Sequence, residues 1–379
     1  MAVDGCQPSL QNFDRVDCGH SKSTYHQPGG RSLVRASFHH CNASFKRMRQ
    51  FHCPLAILLA LATFAPLNAQ SFCVASTGAG QIAFVSQQNS INRIYLMEVD
   101  ASGVGANPTR LTNDDEAENY PSWSPDGKRL AYQRDVNGSA IYVINADGTG
   151  QQRLSPTPGF DVTPSWSPDG TQIVYVRVLA DPQPSQPPMT DIRVMNVGGT
   201  GDHAVLPNTL FSVEPRWSIN DQLVFMSLMN SSDLEIYVMK VDGTGLQQLT
   251  NEGNNGDPVW SPDGTRITFG SDREGGNKLN IFAMNADGSQ LVQLTHFDVP
   301  YEAGDTNWSS DGKKIAFEYD INGMKQSDPN AYAEVWTMNP DGSGETSTAV
   351  PCSDVGCAPR WQPRSCKHYQ HVRPLGPKF

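Results

Sequence analysis

The chain has 379 residues, 38% of them hydrophobic, with 39 acidic against 28 basic side chains and a formal net charge of −11. Such acidity is a poor match for nucleic acid, whose binding requires clustered Lys and Arg to displace phosphate counterions. The low apolar content suits short strands with one solvated face.

Residues 1–47 carry no repeat and no strand pattern. Lys46-Arg-Met-Arg49 precedes a mostly apolar run from Pro54 to Ala65, followed by Pro66-Leu-Asn-Ala69-Gln70. A basic stretch, a short apolar stretch and a small residue at the cut describe a secretory signal peptide, and Met48 would start one of ordinary length. The run is short for a membrane span. The sequence therefore predicts an upstream segment (1–47) outside the mature protein, a signal peptide (48–69), a linker (70–79) and a periplasmic or secreted product with no membrane span. No cysteine stands at the cleavage site, so a soluble product is expected over a lipid-anchored one. Removing residues 1–69 takes away seven basic and three acidic side chains, leaving 21 against 36 and a net charge of −15.

From Gln81 onward the chain repeats. Runs of one type, Ile82-Ala-Phe-Val, Leu130-Ala-Tyr, Ile173-Val-Tyr-Val, Leu223-Val-Phe-Met, Ile267-Thr-Phe and Ile315-Ala-Phe-Glu, alternate with runs of a second type beginning at Ile94, Ile141, Ile192, Ile236, Ile281 and Val335. Their β-branched, alternating character reads as strands. A third run, as in Gln247-Gln-Leu-Thr and Val292-Gln-Leu-Thr, closes the unit. A tryptophan then ends the first strand of the next unit, at Trp123, Trp166, Trp217, Trp260, Trp308 and Trp361, spaced 43 to 53 residues apart. Four short strands, A to D, at that period make a propeller blade. The fold class is therefore all-β, a six-bladed β-propeller over residues 80–365, with a tail at 366–379.

Turn chemistry agrees. Four tryptophans open a Trp-Ser-x-Asp-Gly turn, in which proline or serine, aspartate and a left-handed glycine fit a short A–B hairpin loop. Asp126, Asp169 and Asp263 are accordingly turn formers. After Trp217 the loop is one residue shorter and lacks glycine, so a distorted turn is expected there.

The first strand set has no tryptophan before it, while the last tryptophan, Trp361, has no strands after it. The C-terminal A strand therefore completes the N-terminal blade and removes an open sheet edge. Cys73 and Cys366 both fall where the missing A–B turn would be, and Cys352 and Cys357 flank the loop entering the last strand. Four cysteines allow three pairings. The expected one joins Cys73 to Cys366 and Cys352 to Cys357, the long bridge contributing about 4 to 5 kcal/mol in a chain-entropy account.

Alternating strand direction puts the A–B and C–D turns on one face and the D–A and B–C loops on the other. The second set is variable, including the stretches 134–139, 180–190 and 320–333, and is the expected binding face. Three residues before each tryptophan stand Tyr120, Thr163, Glu214, Asp257, Asp305 and Ala358, near the expected channel mouth. The three carboxylates admit two readings. They cap the starts of the A strands by accepting backbone N–H groups, or they form an electronegative funnel for a basic peptide or a cation. As metal ligands, Glu214, Asp257 and Asp305 would suit Ca²⁺. The tryptophans are expected as inter-blade core.

These motifs, Trp-Ser-Pro-Asp-Gly, Ile-Ala-Phe, Ile-Tyr-Val-Met-Asn-Ala-Asp-Gly and Gln-Leu-Thr, resemble the WD40-like propeller repeat of the TolB family, periplasmic components of the Tol-Pal envelope system. The best match is Asp257 to Thr295. The resemblance covers roughly residues 80–362, without the α/β domain that precedes the propeller in that family. It implies an envelope propeller that docks a protein or peptide partner, as the family's propeller docks the peptidoglycan-associated lipoprotein. A non-enzymatic monomer is expected, with no cofactor other than a Ca²⁺ ion held by the three acids. The alternative is a calcium-dependent, lactonase-like propeller hydrolase using the same three acids. Against it, no Gly-x-Ser-x-Gly elbow appears and the segment after residue 69 has only four histidines.

Overall fold

A computed structural model describes residues 80–363, apart from 89–90, 137, 157–158, 180–186, 276–277, 299–301, 321–332 and 353–356. The expected upstream segment, signal peptide, linker and tail lie outside the described residues, as do Cys73 and Cys366 and most of the loops at 180–190 and 320–333. Twenty-four strands form six four-stranded antiparallel sheets. No helix occurs among the described residues.

Blade one contains β1 (Gly80–Gln88), β2 (Ile91–Val99) and β3 (Gly105–Arg110), with β24 (Arg360–Trp361) as its innermost strand. The other blades run in chain order from the inside outward. They are β4 (Glu118–Trp123) to β7 (Gln152–Arg153), β8 (Asp161–Trp166) to β11 (His203–Leu210), and β12 (Val213–Trp217) to β15 (Gln247–Gln248), then β16 (Asn255–Trp260) to β19 (Val292–Gln293) and β20 (Glu302–Trp308) to β23 (Thr346–Pro351). Each innermost strand packs on that of the next blade, and β24 packs on both β20 and β4. The expected closure is thus present: Trp361 pairs with Ile82 and Arg360 with Ala83, antiparallel.

The repeated residues act through repeated bonds. In the A–B turn, Asp126 accepts from the Ser124 hydroxyl and the Lys128 amide, while the Ser124 amide bonds to the Arg129 carbonyl. Asp169 and Asp263 do the same, as turn formers should. Gly170, at φ +73°, could not carry a Cβ without crowding Pro125 of the preceding blade's turn at 3.1 Å. The shortened loop after Trp217 is a regular closed turn. Asp221 takes the left-handed position at φ +56°, its amide bonds to the Ser218 carbonyl, and the Ser218 amide reaches Gln222 in place of a residue one further on.

The six repeat tryptophans are all 6% exposed or less, and Trp123, Trp166, Trp308 and Trp361 sit in apolar clusters shared by neighbouring blades. Their indole N–H groups stitch those blades together. Trp166 donates to the Ser122 carbonyl, Trp260 to that of Arg216, and Trp123 to that of Arg360 across the closure, at 3.1 to 3.2 Å. Each acceptor is the residue just before the neighbouring tryptophan, so one position in the repeat supplies both apolar fill and a polar link. Trp308 instead uses the Thr268 hydroxyl, and Trp217 bonds Asp221 within its own shortened turn.

Candidate functional site

The six residues standing three before each tryptophan share one backbone state. Tyr120, Thr163, Glu214, Asp257, Asp305 and Ala358 all have φ between +42° and +58°. Each is followed by proline, except Asp305, which is followed by Thr306. At this point the A strand carries two residues opposite one of strand B, a β-bulge, in blades two to six. The single residue opposite is Tyr132, Tyr175, Phe225, Phe269 or Phe317, each fully buried. Proline fits because the bulge leaves its position without a ladder bond to donate. A left-handed non-glycine residue costs about 1 to 3 kcal/mol, and its recurrence in every blade marks it as part of the scaffold. Bulges redirect side chains, and here one position of each blade is redirected.

The redirected side chains are buried. Glu214, Asp257 and Asp305 are 3%, 1% and 2% exposed, Thr163 is equally hidden, and Tyr120 is half-buried. The acids therefore do not sit at an open mouth. They nevertheless share one electrostatic environment. Burial holds the Asp305 carboxyl well above the ordinary range, and Asp257, Glu318 and Glu214 raise it further against the opposing pull of Arg360. Groups from three blades and the closing strand thus converge. Glu318, on β21 (Ile315–Asp320), is the acid that sequence reading missed. Its carboxyl is pushed up to about 7 by burial, with Asp320 and Asp257 acting the same way, while the Cys357 amide and Asp305 oppose the rise. The Cys357 N–H donates to Glu318 Oε2 at 2.7 Å. Asp305 accepts from no backbone N–H and so does not cap a strand; its hydrogen bond is with the Glu318 carboxyl. Its neighbour Glu318 is placed to share a proton with it, as paired buried carboxyls do.

Two guanidinium groups complete the cluster. Arg216 and Arg360 are 2% and 0% exposed. Arg216 lies 3.7 Å from Glu214 and bonds the Pro215 carbonyl, while Arg360 bonds the Pro121 carbonyl of the next blade at 3.0 Å. A signal for Glu318 existed: after the aromatic of strand B the other blades carry Val85, Gln133, Val176, Met226 and Gly270. Among the described residues no group of three or more His, Cys, Asp or Glu side chains is disposed to hold a metal ion. Cys352 and Cys357 are disulfide-bonded, with Cα atoms 5.0 Å apart.

Fold and site together define a six-bladed propeller with a buried, mainly acidic cluster where its innermost strands meet. Residues 74–184 and 188–331 match the family described as the TolB beta propeller domain, and the chain belongs to that family. A protein TolB homolog of Chlorobium luteolum is 25% identical over 272 residues, 72% of this chain and 47% of that relative, so this chain spans about half the relative's length. Among solved structures, TolB from Acinetobacter baumannii superposes with a TM-score of 0.60 at 19% identity, covering 75% of this chain and 67% of that one. An oligogalacturonate lyase solved with manganese gives 0.51 at 16% identity, covering 70% and 73%. At these identities the structural likenesses speak to fold alone, and the fold carries both binding proteins and enzymes.

Proposed function

We propose that this propeller is an exported, non-enzymatic module that docks a protein or peptide partner near its axis, in an envelope role like that of its TolB relatives. The observation that carries the reading is the convergence of Glu214, Asp257, Asp305 and Glu318 from three adjacent blades where the innermost strands meet. Carboxyls gathered at one place favour a cationic neighbour, and a lysine or arginine side chain of a partner would supply one. The Cys352–Cys357 disulfide supports export, because such bonds persist in oxidising compartments. So does the signal-like segment ahead of the propeller.

The test is affinity capture from an envelope extract with wild-type protein and the Asp257→Asn/Asp305→Asn variant, alongside Ca²⁺ calorimetry. Capture of a defined protein by the wild type and its loss in the variant is the expected outcome. Tight Ca²⁺ binding that the same substitutions abolish would overturn the non-enzymatic reading in favour of a metal-dependent hydrolase.

A further inference from the structure

The closing strand is held by little regular pairing. β24 makes two ladder positions with β1, whereas β4, β8 and β16 each make four with their neighbours and β20 makes five. Cys357, four residues before Trp361, adds two further bonds at the closure, beside those of Arg360, Trp361 and Gln362. Its carbonyl accepts from the Val85 amide of blade one at 2.8 Å, and its N–H donates to Glu318 of blade six at 2.7 Å. One residue thus bridges the first and last blades. The disulfide fixes that residue to Cys352, which directly follows outer strand β23 and whose own amide bonds the Ala333 carbonyl on β22 (Ala333–Met338). The bridge therefore runs from the outer edge of blade six to the innermost strand of blade one.

We propose that the Cys352–Cys357 disulfide is a redox latch on the ring: a dithiol reductant opens it, loosening the closing strand and exposing the axial acid cluster. In the step the dithiol is oxidised to its own disulfide. The Cys352–Cys357 sulfur–sulfur bond breaks, and both cysteines leave as thiols. Two features favour opening once the tether is gone. The ladder of β24 with β1 is short, leaving its hold to single bonds of Arg360, Trp361 and Gln362, and Glu318 and Asp305 are buried carboxyls that water entering the cluster would hydrate. Cys352 and Cys357 are 8% and 0% exposed, so a reductant reaches them through local opening of this segment. The bearing of the latch on partner docking rests on the function proposed above, but opening can be read without a partner, so the two ideas fail separately.

Hydrogen exchange by mass spectrometry on wild type and Cys352→Ser/Cys357→Ser is the test. Peptides covering β1 and residues 357–363 should exchange at least about tenfold faster in the variant, with β13 (Gln222–Ser227) unchanged. Equal protection of β1 in the two proteins, or uniform loosening of all blades, would overturn the latch. If the variant does not fold, dithiothreitol treatment of the wild type replaces it, with alkylation mapping of Cys352 and Cys357. Loss of β1 protection should then track alkylation of these two residues, and full alkylation with β1 still protected refutes the proposal.

Discussion

At position 305 an aspartate occupies a left-handed position that every blade repeats, yet in blade one an alanine serves there, at Ala358. The backbone therefore does not require the acid. Its neighbours make it costly: burial and Asp257, Glu318 and Glu214 all raise its carboxyl. Asp305→Asn keeps the shape and removes the ionisable group, so the melting temperature at pH 8 is expected to hold or rise. A strand-capping aspartate would instead lose about 1 kcal/mol on the same change, and a fall of several degrees would contradict the assignment. The tryptophans behave oppositely, since their polar atoms are used. Trp123→Phe removes the bond to the Arg360 carbonyl and should cost about 1 to 2 kcal/mol in urea unfolding. Trp217→Phe, whose indole bonds only its own turn, should cost less.

The strands and turns were readable because each is set by local chemistry. Alternation marks strand B, Pro-Asp-Gly marks the A–B turn, and tryptophan marks the end of strand A. The turn after Trp217 departs from the others by closing one residue sooner, and it does so without strain because aspartate at 221 tolerates the left-handed conformation that glycine usually supplies. The bulge was not legible. The residue before a proline is ordinarily pushed to extended conformations, yet at the bulge against strand B it is left-handed. Glu318 went unremarked since strand B reads as apolar, though it alone of the six carries an acid after the aromatic. Its titration gives β21 a pH signature. Burial raises it to about 7 from 4.5, so its neutral form belongs to the folded state. The stability it contributes is whole below about pH 4.5 and is lost as pH rises through 7, on the order of 3 kcal/mol. Glu318→Gln should flatten that slope in chemical unfolding series from pH 4.5 to 7.5. A smaller slope should persist from Glu118, which burial also raises to about 7. An unchanged slope would mean that Glu318 does not titrate in this window.

The molecule as a whole depends on its closure, since blade one is built from both ends of the repeat region. Ending the chain before Ala358 leaves β1 as a bare inner edge, and edges of that kind recruit other chains. Self-association in sedimentation velocity is the expected outcome, and a well-behaved monomer would show that β24 is dispensable. The closure was legible by counting strands, and the Cys352–Cys357 bond by the placement of its residues. The burial of the acids was not, because how tightly six inner strands approach depends on packing that no single repeat displays. With the acids buried, the proposed docking requires a partner that approaches the axis from the loop-rich face and inserts a side chain towards them. Photocrosslinking measures this most directly, with a benzophenone amino acid placed at Tyr120 on the bulge and, separately, at exposed Lys128 in an A–B turn. In an extract of the cells that produce the protein, a discrete adduct should form from position 120, be absent from position 128 and disappear in the Asp257→Asn/Asp305→Asn background. Equal adducts from both positions, or an adduct at 120 that survives those substitutions, would contradict the account.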